Sequence, residues 1–164
     1  MLMKILVVNG GSSTFKFSLF DVKGSFSRSL MPVWTKTVEL KGTQSKYKSL
    51  LLDNLEHIPR DIDIVGHRVV HGGVHMRHTM AITKNVKQEI QKLIHLAPLH
   101  NPLNLIGIEI AEQLFPIAKQ VAVFDTAFFL TMPEVAWTYP IPFKWREEGI
   151  RRYGFHGISH QCCS

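Results

Sequence analysis

The sequence predicts one domain of the α/β class, on three observations. Apolar and polar residues first alternate over short runs, which is the period of strands. From residue 44 onward apolar residues also recur every three or four positions, the period of helices, with further strand-like runs between them. No internal repeat or low-complexity linker divides the 164 residues.

The elements follow in order. Lys4 to Val8 is an apolar run ended by Gly-Gly-Ser-Ser, after which Phe15, Phe17 and Leu19 alternate with Lys16 and Ser18, so a hairpin is predicted with its turn at Asn9 to Thr14. Val33 to Leu40 reads as a third strand. Gln44 to His57 has helical spacing through Tyr47, Leu51 and Leu55 before Pro59, and Ile62 to Val70 is again strand-like. Thr83 suits the N-cap of a helix bearing Val86 and Ile90 that closes before Pro98. Asn101 followed by Pro102 predicts a second start, a capping side chain and then a fixed backbone angle, with Leu103, Ile106, Ile110 and Leu114 continuing to Pro116. Lys119 to Phe124 is a buried-type strand that delivers Asp125 at its end.

Composition narrows the function classes. A hydrophobic fraction of 45% with 20% charged residues excludes a disordered chain. No apolar run reaches the ~18 residues that cross a bilayer, and no leader pattern opens the chain, so a cytoplasmic protein is expected. The two cysteines, Cys162 and Cys163, are adjacent and can neither staple the fold nor supply spaced metal ligands. The net charge of +6 is scattered along the sequence with no nucleic-acid fingerprint, so neither nucleic acid nor membrane is an expected partner.

Five segments could carry chemistry. Asn9-Gly10-Gly11-Ser12-Ser13-Thr14-Phe15-Lys16 combines glycines that let the backbone approach an anion with hydroxyls and a lysine, although Lys16 sits in a strand and not at a helix start as a P-loop requires; a plain hairpin has the same residues. In Gly66-His67-Arg68-Val69-Val70-His71-Gly72-Gly73 the arginine lies inside an apolar strand and needs an anion, either a structural carboxylate or a ligand. His67, His71, His75 and His78 invite a metal reading, but a strand turns His67 and Arg68 to opposite faces and the glycines then redirect the chain. Ala97-Pro98-Leu99-His100-Asn101-Pro102 follows, and Val123-Phe124-Asp125-Thr126-Ala127-Phe128 sets a carboxylate outside a strand's C-terminal end, as a helix cap or a catalytic group. Last comes Tyr153-Gly154-Phe155-His156-Gly157-Ile158-Ser159-His160, whose His156 is either catalytic or satisfied by backbone.

Together, in this order, the five segments resemble the N-terminal half of the acetate kinase family, from Lys4 to about His160. The resemblance implies the actin, Hsp70 and sugar-kinase (ribonuclease H-like) architecture, in which two similar α/β domains close over a nucleotide. Residues 1–160 would be the first domain, the C-terminal domain would be absent, and 161–164 would be an atypical tail that reads as a frameshift or a premature stop. It implies reversible phosphoryl transfer between ATP and acetate, giving ADP and acetyl phosphate, with Mg2+. Arg68 would then grip the carboxylate and the phosphoryl group in flight. His156 would donate to phosphoryl oxygens, and Asp125 would be the catalytic aspartate. Val70, Leu99 and Phe155 would line the pocket for the substrate methyl group beside His100. Lys16, with Ser12 and Thr14, would bind ATP, and Asn9 would help place the metal. Where the family commonly carries histidine and glutamine, this chain has Phe129 and Leu130, an exchange of polar for apolar groups beside Asp125 that implies either local repacking or relaxed selection. The family's adenosine loops, second arginine and magnesium-binding glutamate have no counterpart here, so the chain alone is expected to be inactive. Alternatives are a propionate kinase, one half of a split kinase completed by a separate C-terminal half, or a residual phosphate- or carboxylate-binding module. Family members are homodimers.

Overall fold

The computed structural model describes residues 2–24, 30–43 and 46–164. Strands β1 (Leu2–Gly10) and β2 (Thr14–Lys23) form the expected hairpin, with Asn9, Gly10 and Thr14 inside the strands and not in the turn. The turn itself is three residues, closed by the Gly11 N–H donating to the Thr14 carbonyl at 2.8 Å. Strand β3 (Trp34–Glu39) pairs with β2, and helix α1 spans Tyr47–Leu55. The predicted start of that helix at Gln44 lies outside the described residues.

Strand β4 (Ile64–Val69) is followed by a two-residue edge strand β5 (Met80–Ala81) and helix α2 (Lys84–Lys92). Thr83 caps α2, its hydroxyl accepting from the Val86 N–H at 3.3 Å. The chain tightens into a 3₁₀ turn at Leu93–His95, then enters helix α3 (Asn101–Leu114) and strand β6 (Lys119–Phe124). A 3₁₀ segment (Asp125–Thr131) leads to three short helices, α4 (Glu134–Trp137), α5 (Phe143–Glu147) and α6 (Gly157–Cys163).

The six strands make one sheet in the order β3-β2-β1-β4-β6-β5. The central three, β1, β4 and β6, are parallel, and the outer three run antiparallel to their neighbours. Parallel pairing requires crossovers, and α1 and the α2–α3 pair provide them. The alternation read from the sequence holds: Leu6, Val8, Phe15, Phe17 and Leu19 are buried against Leu51 and Leu55 of α1 and Leu103 and Ile110 of α3. A second cluster joins Val69, Ala122 and Phe124 to Ile90 and Ile108. Helix α3 lies so close to the sheet that a Cβ on Gly107 would sit 2.8 Å from the Phe15 ring. On the other face Ile5, Val7, Ile64, Val121 and Val123 are only partly buried, and a Cβ on Gly66 would meet nothing within 4 Å.

This architecture aligns the C-terminal ends of three parallel strands. Such a row is where open α/β sheets present functional groups.

Candidate active site

Sheet register puts Asn9 of β1 opposite Arg68 of β4, and Arg68 opposite Val123 of β6, so that Asp125 emerges just beyond the arginine. The Arg68 guanidinium is held on two sides. Its Nη2 donates to Asp125 Oδ2 at 2.6 Å, and its Nε reaches both carboxylate oxygens at 3.2 and 3.1 Å. Its Nη1 donates to Asn9 Oδ1 at 3.1 Å. Asp125 is 1% exposed and Arg68 22%, so the carboxylate is the buried anchor and the guanidinium faces the cleft. Arg68 therefore does have the structural carboxylate that the sequence left open, and that partner is the same Asp125 read as a catalytic candidate.

A cavity of about 300 Å³ opens beside this pair, lined by Arg68, Val70, His100, Asp125, Phe155 and His156 together with the segment from Leu96 to Leu99. All seven residues expected at the reaction centre and acyl pocket thus share one wall. The pocket is shallow on its apolar side: Leu99 is 69% and Phe155 40% exposed, whereas Val70 is buried. Burial and the nearby Arg68 charge push the His100 imidazole below its ordinary pKa, which favours its neutral form.

His156 takes a left-handed backbone conformation (φ 57°, ψ 28°) immediately before α6. Non-glycine residues seldom adopt it, and such positions concentrate at functional sites. The glycine that follows has a packing reason, since a Cβ on Gly157 would collide with the Asp125 carbonyl oxygen. The sequence's Phe-His-Gly order thereby fixes His156 next to Asp125.

Lys16 sits opposite Asn9 across the hairpin and is exposed, while Ser12 is exposed in the turn and Thr14 half-buried at the start of β2. They flank Asn9 but do not line the cavity. His67 and His71 are committed elsewhere. His67 Nε2 donates to Gln120 Oε1 at 2.8 Å, and His71 Nδ1 accepts from the Gly73 N–H at 3.0 Å. Burial depresses both to about pKa 4, so both are neutral.

The sequence reading of Asn101 as a helix cap is corrected. The first residue of α3, it is fully buried, and its side chain clamps the His71 backbone: Oδ1 accepts from the His71 N–H at 3.2 Å, and Nδ2 donates to the His71 carbonyl at 3.2 Å and the Ile90 carbonyl at 3.3 Å. A cap hydrogen bond is lacking because the amide satisfies buried strand-end backbone instead. Asn104, missed in the sequence, does the same one turn on, accepting from the Val70 N–H at 3.1 Å and donating to the Gly10 carbonyl at 3.0 Å. The legible signal was two asparagines three apart on a helix whose other inward positions are apolar. His71 carries the clamp further, its ring meeting Tyr153 and Phe155 edge-on at 4.5 and 5.6 Å between centroids.

The profile of the Acetokinase family matches residues 36–164. The chain belongs to the acetokinase family. An acetate kinase of Nostoc sp. (strain PCC 7120 / SAG 25.82 / UTEX 2576) is 42% identical over 195 aligned positions that cover 99% of this chain and 48% of the relative. Among solved structures, Porphyromonas gingivalis acetate kinase superposes with a TM-score of 0.75 at 35% identity, and a Francisella tularensis propionate kinase with 0.74 at 35%, each match covering 96% of this chain and 46% of the other. The chain spans about half the length of the curated relatives it matches. Among acetokinase-family folds the shared part is therefore the mixed α/β sheet with its helices, and the strand-end site lies within it. No helix among the described residues is long and apolar enough to cross a membrane.

Proposed function

We propose that this chain supplies the carboxylate- and phosphoryl-binding half of a carboxylate kinase, in which the γ-phosphoryl group of ATP passes reversibly to acetate to give ADP and acetyl phosphate. The observation that carries this reading is Arg68, forked onto Asp125 and Asn9 at the edge of a cavity that also holds His156 and the apolar side chains of Val70, Leu99 and Phe155. Phosphoryl transfer asks a protein chiefly to position reactants and neutralise spreading charge. A planar guanidinium held by two partners is suited to both. Arg68 grips the carboxylate and the equatorial phosphoryl oxygens, His156 donates to those oxygens, and Asp125 orients the guanidinium. Val70, Leu99 and Phe155 receive the methyl group beside His100, and Lys16, Ser12 and Thr14 attend the ATP phosphates.

The donor set fits a hard divalent cation only in part. Asn9 Oδ1 and the Asp125 carboxylate lie together at the strand ends, each already accepting from Arg68, so they would hold Mg2+ with phosphate oxygens and water completing its shell, as that ion prefers. Bound there, Mg2+ would supply further neutralisation of phosphoryl charge.

Residues 1–160 act in this reading as the core of the first of two domains, with 161–163 completing helix α6, in a cytoplasmic homodimer whose second domain carries the adenosine site. Propionate is the second reading, favoured by the equal structural likeness to a propionate kinase. One methylene is worth only ~1–3 kcal/mol in such a pocket.

The test is calorimetric. Acetyl phosphate titrated into the 164-residue chain should bind, and Arg68→Ala should weaken binding at least tenfold, about 1.4 kcal/mol. Binding that ignores the substitution would remove Arg68 from the site. The chain alone should form no acetyl phosphate from ATP and acetate, and turnover by a contaminant-free preparation would overturn the half-site reading.

A further inference from the structure

A second cavity, of about 250 Å³, is lined by chain neighbours of the first and shares no lining residue with it. The chain crosses from one to the other twice, between Asp125 and Thr126 and between Gly154 and Phe155. Three arginines, Arg77, Arg151 and Arg152, border this space, and no acidic side chain does.

Among the described residues none of the three is in an ion pair. Each is steadied by a neutral group instead. Arg77 Nε donates to the Val74 carbonyl at 2.8 Å, the Arg151 guanidinium lies 3.9 Å above the Trp137 ring, and Arg152 Nη1 donates to the Ala136 carbonyl at 3.0 Å. Three like charges brought to one concavity repel, and neutral tethers leave that repulsion uncompensated while holding the forks in place. Planar guanidiniums with free N–H groups recognise carboxylate and phosphate oxygens bidentately. The remaining wall, Thr126 apart, is apolar and aromatic, and includes Phe129, Leu130, Met132, Trp137 and Tyr153.

We infer that this cavity is a binding site for a small organic dianion, a phosphate ester or dicarboxylate whose planar or apolar body lies against Trp137 and Phe129. The site is independent of the carboxylate-kinase reading, since none of its residues lines the cavity at Arg68. The divalent charge follows from three cations without a counter-ion, and the organic body from a wall that inorganic phosphate alone would leave unfilled. Phe129 and Leu130 belong to this wall, and the apolar pair noticed beside Asp125 in the sequence faces the second cavity and not the first.

Two probes separate the sources of the anion: phenyl phosphate and isophthalate, each titrated calorimetrically into the full chain at moderate and raised salt. One site is expected for at least one probe, with affinity falling as salt rises. Arg77→Gln and Arg151→Gln should each weaken it at least tenfold, and Arg68→Ala, verified as folded by circular dichroism at the titration temperature, should leave it unchanged. Preference for phenyl phosphate assigns a phosphate ester, preference for isophthalate a dicarboxylate. The Arg151 variant also loses its contact with Trp137, so unfolding there would leave the exposed Arg77 to decide, with thermal melting of the ligand-free variant as the control. No heat from either probe at millimolar concentration overturns the inference. So does the opposite pattern, binding lost in Arg68→Ala and kept in Arg77→Gln, because the anion would then occupy the first cavity.

Discussion

The pairing of Arg68 with Asp125 joins a half-open cation to an almost wholly buried carboxylate, and the two contribute unequally to stability. Removing Arg68 leaves the carboxylate of an almost wholly buried Asp125 without its cationic partner. Arg68→Ala is therefore expected to destabilise the fold by ~3–5 kcal/mol, whereas replacing both partners with apolar residues of similar volume should cost markedly less. Urea denaturation of the two single variants and the double variant checks this through the coupling energy, and additive single effects would mean that the pair is not coupled. The arginine was legible in the sequence because a guanidinium flanked by valines demands an anion. Which anion was not legible, because Asp125 lies 57 residues away and only strand order brings it near.

Helix α3 is the element that converts strand ends into a site. Asn101 and Asn104 satisfy backbone groups at the ends of β1 and β4 where the sheet's own ladder stops, and so fix the segments on either side of Arg68. Asn104→Ala would leave the Val70 N–H and the Gly10 carbonyl buried without partners. At ~1–3 kcal/mol for each of the two orphaned groups, a loss of about 2–6 kcal/mol is expected by chemical denaturation, and a loss under about 1 kcal/mol would show that water replaces the amide. Periodicity revealed the helices and their apolar stripes well, and Thr83 was legible as a cap because its role is local. Asn101 was misread for the converse reason. An asparagine before Pro102 has the composition of a cap, and only the depth at which α3 is buried diverts the side chain to His71.

At the scale of the molecule, strand pairing was the least legible feature. Alternation distinguishes the face of each strand, but nothing in it says that β4 inserts between β1 and β6; the family resemblance, and not periodicity, pointed to that architecture. The finished core holds two neutral histidines, His67 and His71, each depressed to about pKa 4 chiefly by burial. The unfolded chain binds their protons near the ordinary value of 6.5 while the folded chain does not, so folding stability is complete above that value. It falls as the pH drops from about 6.5 to about 4, by up to ~1.4 kcal/mol per pH unit for each histidine, and levels off below. Denaturation midpoints measured between about pH 7.5 and 4.5 should show this decline, and His71→Gln should flatten it. A profile unchanged by that substitution would mean that His71 is open to protons in the fold.

The hydrogen bonds from Arg68 to Asn9 and Asp125 bridge 59 and 57 residues of chain, so no local segment holds any two of the three side chains. Time is the consequence. Hairpins and single helices form quickly, while contacts between distant strands wait for loop closure and dominate the slow phase. The proposed recognition surface is therefore born last, when β4 docks between its two parallel neighbours. In a refolding experiment, helical circular dichroism should recover first, and competence to bind an acyl phosphate should follow in a distinct, slower step.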